Sequence, residues 1–210
     1  MSPVLTTLRQ QSLVWYPEHD LGFYPVKPAD YPYDADYWAK YEGYAATELG
    51  RQIRESREAF VEANYSGPLV DVGIGCGDFI TYRNSLGKPT FGNDINPVGV
   101  KWLKDNNLFV DPWLAPVKAA SFWDVIEHVE DHELLLANIR ECFFVSVPIF
   151  LDQYDVLRSK HYRRDEHYWY WTRKSVKSYF SNFGFDCTAE DNFETVLGRE
   201  SIGSFVFRRR

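Results

Sequence analysis

The feature that most constrains this chain is the run Val70-Asp71-Val72-Gly73-Ile74-Gly75-Cys76-Gly77-Asp78-Phe79. Glycine weakens any regular element, so three glycines in five residues mark a place where the main chain bends sharply or lies bare against something else. An aliphatic run precedes the glycines and a helical pattern follows them. A strand, a glycine turn and a helix aim backbone N–H groups at a helix N-terminus, where an anion or a polar tail is welcome.

The surrounding pattern extends this unit into a fold. Residues 47–64 read as a helix with Leu49, Ile53, Phe60 and Val61 near one face. Residues 69–72 read as a buried strand, and a helix is expected from 77 to about 86. A second strand at 90–95 ends on the Asp94 carboxylate, and Pro97 opens the next helix. Further strands are expected at 108–110, 119–125 and 142–147, the last ending at Pro148, with a helix from Asp131 to about Arg140 between them. Thr172 is a suitable cap for a helix through Ser181, which Gly184 ends, and two last strands are expected at 185–188 and 203–207. Strands alternating with helices predict an α/β fold: a Rossmann-like, doubly wound, mostly parallel seven-stranded sheet with helices on both faces. Two segments stand outside it. Residues 1–46 are rich in Pro, Tyr and Asp and read as an irregular aromatic arm with a short helix near Tyr37, either a surface wrap or a lid. Residues 149–171 form a polar-aromatic insert in the main domain, 47–210.

Composition narrows the partners. A net charge of -7 opposes general binding to nucleic acid, while 17% aromatic residues supply rings for a core or for a pocket that takes flat ligands. The run 158–164 and the tail 208–210 are locally basic, either as solvated faces or as contacts for an anionic substrate. Cys76, Cys142 and Cys187 have neither zinc nor disulfide spacing, and buried free thiols are expected at Cys76 and Cys142. With no apolar run long enough to span a membrane and no leader pattern, a reducing, cytoplasmic compartment and no membrane partner are expected.

The glycine spacing separates two cofactor classes. A dinucleotide turn needs G-x-G-x-x-G/A to admit pyrophosphate, but here Asp78 stands where that anion would dock. No Lys-Ser/Thr follows, so a Walker phosphate loop is excluded. An acidic residue about 20 residues on, at the end of the next strand, suits the two hydroxyls of a ribose, and Asp94 has that place. A nucleoside with a zwitterionic tail fits this pattern better than a nucleotide.

Residues 71–77, Asp94 and the run Phe122-Trp123-Asp124-Val125-Ile126-Glu127-His128-Val129 resemble the successive motifs of class I S-adenosylmethionine-dependent methyltransferases. The resemblance covers roughly residues 60–190 and includes the late pattern His167, Trp171-Thr172, Ser175, Phe183-Gly184-Phe185. It implies that S-adenosyl-L-methionine is the cofactor and that Asp71 holds the methionine amino group. Gly73, Gly75 and Gly77 would make room for the tail and ribose, and Asp94 would take the ribose hydroxyls. Ile95 would lie against the adenine, which Asp111 and Trp113 would also meet.

Two clusters are candidates for chemistry. Asp124, Glu127 and His128 resemble the E-x-x-E-H element that holds a divalent ion in ubiquinone-pathway O-methyltransferases and small-RNA 2′-O-methyltransferases. Mg²⁺ or Mn²⁺ is the implied ion, although Asp124 is one methylene shorter than Glu. In the alternative, Glu127 and His128 only brace the strand end. His132 is expected at the surface. The second cluster, residues 161–171, offers aromatic walls, guanidinium groups and two imidazoles, with His167 and then His161 as candidate bases. The leading expectation is methyl transfer to an O or N nucleophile of a small, aromatic or sugar-like, possibly anionic acceptor. A non-catalytic cofactor-binding module, a nucleic-acid methyltransferase and an NAD(P)-dependent oxidoreductase remain open.

Overall fold

The computed structural model describes residues 13–25 and 33–210. Its centre is a set of parallel strands whose apolar residues face both ways, as strands covered on two sides require. They are β3 (Leu69–Val72), β4 (Thr90–Asn93), β5 (Val117–Trp123) and β6 (Ile139–Phe150). The antiparallel β9 (Ile202–Arg209) lies beside β6, and β8 (Phe185–Asp191) lies beside β9, so the order across the sheet is β4-β3-β5-β6-β9-β8. The strand expected at 108–110 survives as a single parallel bridge between Phe109 and Gly92 on the outer side of β4. With that bridge the doubly wound seven-strand plan is complete.

Side-chain alternation divides the core between the two faces. Val70, Val72, Phe122, Phe143 and Val145 pack with Leu135 and Leu136 of α5 (Glu133–Asn138) and with Val176 and Phe180 of α7 (Arg173–Ser181). Leu69, Ala119, Cys142 and Phe144 face Phe60 and Val61 of α2 (Glu48–Glu62). Helix starts follow the capping chemistry in the sequence. Thr47 accepts from the Gly50 amide at 3.0 Å, and Thr172 and Ser175 form a reciprocal capping box. Asn96 caps α4 (Pro97–Asp105), with Pro97 in its first turn. No helix among the described residues is long and apolar enough to cross a membrane.

Three features differ from the sequence-based expectations. Part of the supposedly irregular arm is a hairpin of β1 (Val14–Tyr16) and β2 (Leu21–Phe23), because Pro17 sits in its turn and leaves the strand amides free. The rest of the arm, at 1–12 and 26–32, lies outside the described residues. β2 pairs with β7 (Trp169–Thr172), and β7 runs parallel to the tip of β6. The fifth strand of the sequence reading therefore does not stop at Pro148. Its parallel partner changes there, from β5, last paired at Ser146, to β7 from Ile149 on, while Ile149 still donates its amide to the Ser201 carbonyl, next to β9, at 2.8 Å.

The side of the sheet behind the glycine turn is held by ions. Arg83 of α3 (Asp78–Ser85) is buried; it donates to Glu58 of α2 and, at 2.9 Å, to Thr90 Oγ1 on β4. Lys88 adds a second cation at Glu58. Removing one member of a buried pair strands its partner's charge. Glu58→Ala is accordingly expected to destabilise the protein by about 3–5 kcal/mol in urea denaturation, and a loss below about 1 kcal/mol would contradict this role.

Candidate active site

The parallel strands all end on one side of the sheet, and the candidate residues collect there. β3 runs into Gly73-Ile74-Gly75-Cys76-Gly77, with all three glycines at positive φ. At Gly73 (φ +73°) a Cβ would stand 2.4 Å from a Val125 methyl, and at Gly77 (φ +77°) 2.8 Å from the Trp102 ring. Both positions therefore exclude any other residue by conformation and by space. Cys76 belongs to this turn and is half-buried, not sequestered on a strand; Cys142 is buried, and all three cysteines are free.

The turn forms one end of a cavity of about 660 Å³, within the range usual for small-molecule sites. Asp71, Gly73, Gly75, Asp94, Ile95 and Trp113 line it, as do Asp124, His128 and His161. Gly77, Asp111, Glu127 and His167 are not in its wall. Gly77 instead caps α3, and Asp111 turns back to accept from the Trp113 amide at 2.9 Å. Helix α1 (Ala35–Ala45) contributes to the wall, has no buried residue, and sets Tyr41 against Gly75.

Burial shapes the two carboxylates at the glycine end. Asp71 is 2% exposed and accepts from Ser121 Oγ at 2.6 Å. Burial pushes its carboxyl up to about 7, against the pull of that hydroxyl and of Arg57. Burial also raises Asp94, while amides of Asn96, Ile74 and Ile95 draw it back. One Asp94 oxygen takes the Asn96 amide at 2.7 Å.

The metal ligands inferred from sequence are rearranged. Asp124, at φ +60°, does not join Glu127 and His128 in one group. Its carboxylate accepts from Arg57 at 3.1 Å and from Arg199 at 2.8 and 2.9 Å, and Glu194 takes further bonds from the same two guanidinium groups. The two arginines overcome burial and hold Asp124 down at about 2. The sequence reading missed Arg57, Glu194 and Arg199, which come from α2, α8 (Phe193–Val196) and the turn after it. No local pattern marks them, because each lies among other polar and charged residues in the sequence.

The group that does converge is Glu127, His128 and His167, whose ligand atoms lie within 4.8 Å of one another. The imidazoles of His128 and His167 meet edge to face at 4.6 Å. Glu127 is 1% exposed, and neither carboxyl oxygen has a hydrogen-bond partner. Burial, then the nearby Asp124 charge, raises its carboxyl well above the usual range. His161 lies apart, with Nε2 on the Glu200 carbonyl at 2.8 Å. His132 is buried rather than exposed as expected, because its ring fills a space among Trp169, Trp171 and Tyr179.

A methyltransferase-domain family model matches residues 41–190, more than half of the chain. The chain belongs to that family. It is an S-adenosylmethionine-dependent methyltransferase with the class I fold. Solved structures share the fold at low identity. The putative methyltransferase crystallised with the Trm112 activator of Haloferax volcanii has a TM-score of 0.61 at 13% identity, over 82% of this chain and 94% of that one. Magnesium protoporphyrin IX methyltransferase from Synechocystis PCC 6803, with bound S-adenosylhomocysteine, scores 0.56 at 14% identity, over 83% and 94%. The glycopeptide N-methyltransferase MtfA, complexed with S-adenosylmethionine, scores 0.54 at 12% identity, over 75% and 87%. No curated protein sequence matches the chain.

The raised Asp71 gives the methyltransferase a testable pH dependence. Unfolded, this carboxyl ionises near 3.8; folded, it keeps its proton to about 7. The folded chain therefore binds the extra proton between those values, and Asp71's contribution to stability falls as pH rises through that window. Asp71→Asn, which cannot ionise, should raise the stability of the ligand-free protein more at pH 8 than at pH 5. Equal changes at both pH values in urea denaturation would contradict a buried, unpaired carboxylate.

Proposed function

We propose that this methyltransferase moves the methyl group of S-adenosylmethionine to an oxygen or nitrogen of a small, anionic, aromatic or sugar-like acceptor. The observation that carries the reading is a single cavity whose wall includes the glycine turn and His128, with Glu127 and His167 grouped around His128. In this reading Asp71 takes the methionine ammonium, which restores its charge, and the glycine turn admits the tail. Asp94 uses its remaining acceptor capacity on the ribose, and Ile95 and Trp113 cover the adenine. Ile95 is 72% exposed in the structure, which leaves its face available. Asp111 is assigned to its own turn.

Arg57, Lys160, Arg163 and Arg199 stand in the wall, paired with Asp124, Glu194, Glu200 and Glu166. The exposed pairs of Lys160 and Arg163 exchange at little cost, which supports an acceptor with a carboxylate or phosphate. Tyr44 and Trp123 offer faces to a ring. Tyr37, Lys40, Tyr41 and Tyr44 of α1 are in the cavity wall, which supports α1 as a lid, with 47–210 as the methyltransferase domain and 149–171 as its substrate-side insert.

The chemistry asked of the chain is limited. The acceptor attacks the methyl carbon in line, the carbon–sulfur bond breaks with its electron pair passing to sulfur, and the acceptor's proton must leave. His128, in the wall, is placed to receive that proton, with His167 against its ring and His161 farther along the wall. Glu127, His128 and His167 also form a donor set that fits a divalent ion, since the carboxyl lacks any partner and two imidazoles adjoin it; Asp124 does not belong to it. Such an ion would lower the pKa of a bound hydroxyl, and two nitrogen donors suit Mn²⁺ better than Mg²⁺.

Asp94→Ala should weaken S-adenosylhomocysteine binding by about 1–3 kcal/mol in calorimetry, the cost of unpairing ribose hydroxyls; unchanged affinity would remove Asp94 from the cofactor site. Incubated with cell extract and methyl-labelled cofactor, the enzyme should label small anionic metabolites. Glu127→Gln and His128→Ala should each lower that transfer by on the order of a hundredfold while leaving cofactor affinity intact. Label entering nucleic acid instead would overturn the acceptor class, and transfer unaffected by a chelator would dismiss the ion.

A further inference from the structure

The short turn that carries Glu127 and His128 has no side-chain cap of its own; it is a single turn of 3-10 helix at Ile126–His128. Its position comes from outside. Tyr168 donates its amide to the Glu127 carbonyl at 2.8 Å, and Trp169 Nε1 donates to the Val129 carbonyl at 2.9 Å. These two bonds tie the turn to the segment that carries His167. A third tie comes from the start of the next helix: His132 Nε2 lies 2.8 Å from the Ile126 carbonyl.

His132 is an unusual residue for that place. It stands at the N-cap position of α5, yet its ring does not cap the helix, and Asp131 instead takes the Glu133 amide at 2.8 Å. The imidazole is 1% exposed and both nitrogens are engaged, Nε2 on Ile126 and Nδ1 at 2.7 Å from the Tyr179 hydroxyl. A carbonyl only accepts, so Nε2 carries the proton; Nδ1 then accepts, and Tyr179 is the donor. Burial lowers the imidazole to about 4, which keeps it neutral and in this one tautomer across the physiological range. The rings of Trp169, Trp171, Tyr179 and Phe180 surround it and fix its plane.

From these contacts we infer that His132 and Tyr179 are positioning residues: through the Ile126 carbonyl they set where Glu127 and His128 stand relative to His167. The chain of bonds runs from α7 through His132 to the turn. It adds to the two bonds from the β7 segment, whose Trp169 packs against both His132 and Tyr179, so the three ties act on the turn together. A ring that served only the core would need neither the bond to Ile126 nor a donor on its far nitrogen. An apolar side chain would fill the same space without burying two polar atoms. The inference concerns the geometry of the group that the proposed function uses, but it stands on hydrogen bonds that exist whatever the acceptor is.

The test follows the histidine ring signals by NMR in protein labelled with ¹⁵N-histidine, at one fixed pH, with the full chain. Tyr179→Phe preserves the ring packing and removes the hydroxyl. His132→Leu removes both bonds, and His132→Gln restores a donor toward Ile126. In Tyr179→Phe and His132→Leu the ring signals of His128 and His167 should move and broaden by exchange on the microsecond-to-millisecond scale, with His19 and His161 unchanged. His132→Gln should bring them part of the way back. With Mn²⁺ alone as the probe, the two disruptive variants should bind about 10-fold more weakly than the native protein. Should His132→Leu fail to fold, Tyr179→Phe still decides the question. A fall in melting temperature with the His128 and His167 signals unmoved would reduce His132 to core packing and overturn the inference. Signals that move in these variants, in a protein whose methyl transfer survives Glu127→Gln, would keep the inference and sink the proposed function.

Discussion

The structure depends on a stretch of main chain that no side chain may occupy. Where β3 ends, the turn is pressed between Val125, Tyr41 and the Trp102 ring, and its glycines adopt conformations that other residues avoid. The requirement for glycine is thus set twice. The chain's own packing excludes a Cβ at Gly73 and Gly77, and the surface left behind is a row of bare peptide groups at the rim of a parallel sheet. The ion pairs of Glu58, Arg83 and Lys88 hold α2, α3 and β4 behind it.

Charge at the site follows burial more than proximity in sequence. Asp71 and Glu127 are buried without cations on them and are pushed up, while Asp124, within a few residues of Glu127, is half-buried between two arginines and is driven down. Two carboxyl groups in one short motif therefore have opposite characters. Asp124 knits α2, the end of β5 and the turn after α8 into one wall. Glu127 remains unsatisfied beside two imidazoles, and an unpartnered buried polar group is expensive enough to imply a role.

Much of this was legible in the sequence because the signals are local. The strand–glycine–helix unit, the Asn96-Pro97 and Thr172 helix starts, and the carboxylate after β4 depend on neighbours a few residues apart, and each appears where it was expected. What was not legible depends on pairing between distant segments. Pro148 reads as a strand end, but the strand continues because a second partner takes over beyond it. Asp124 matches a metal-site motif by spacing, but spacing carries no information about Arg57 and Arg199, one 67 and the other 75 residues away. His132 reads as a polar residue in a charged loop; only the fold brings four aromatic rings around it.

The central claim is that the bare turn at the end of β3 receives the tail of a sulfonium nucleoside whose ribose is gripped from the end of β4. A crystal structure with S-adenosylhomocysteine tests it most directly. The account predicts the amino group within hydrogen-bond reach of Asp71, the two ribose hydroxyls on Asp94, and the sulfur facing His128. Density for the ligand at any other place, or none at saturating concentration, would contradict it.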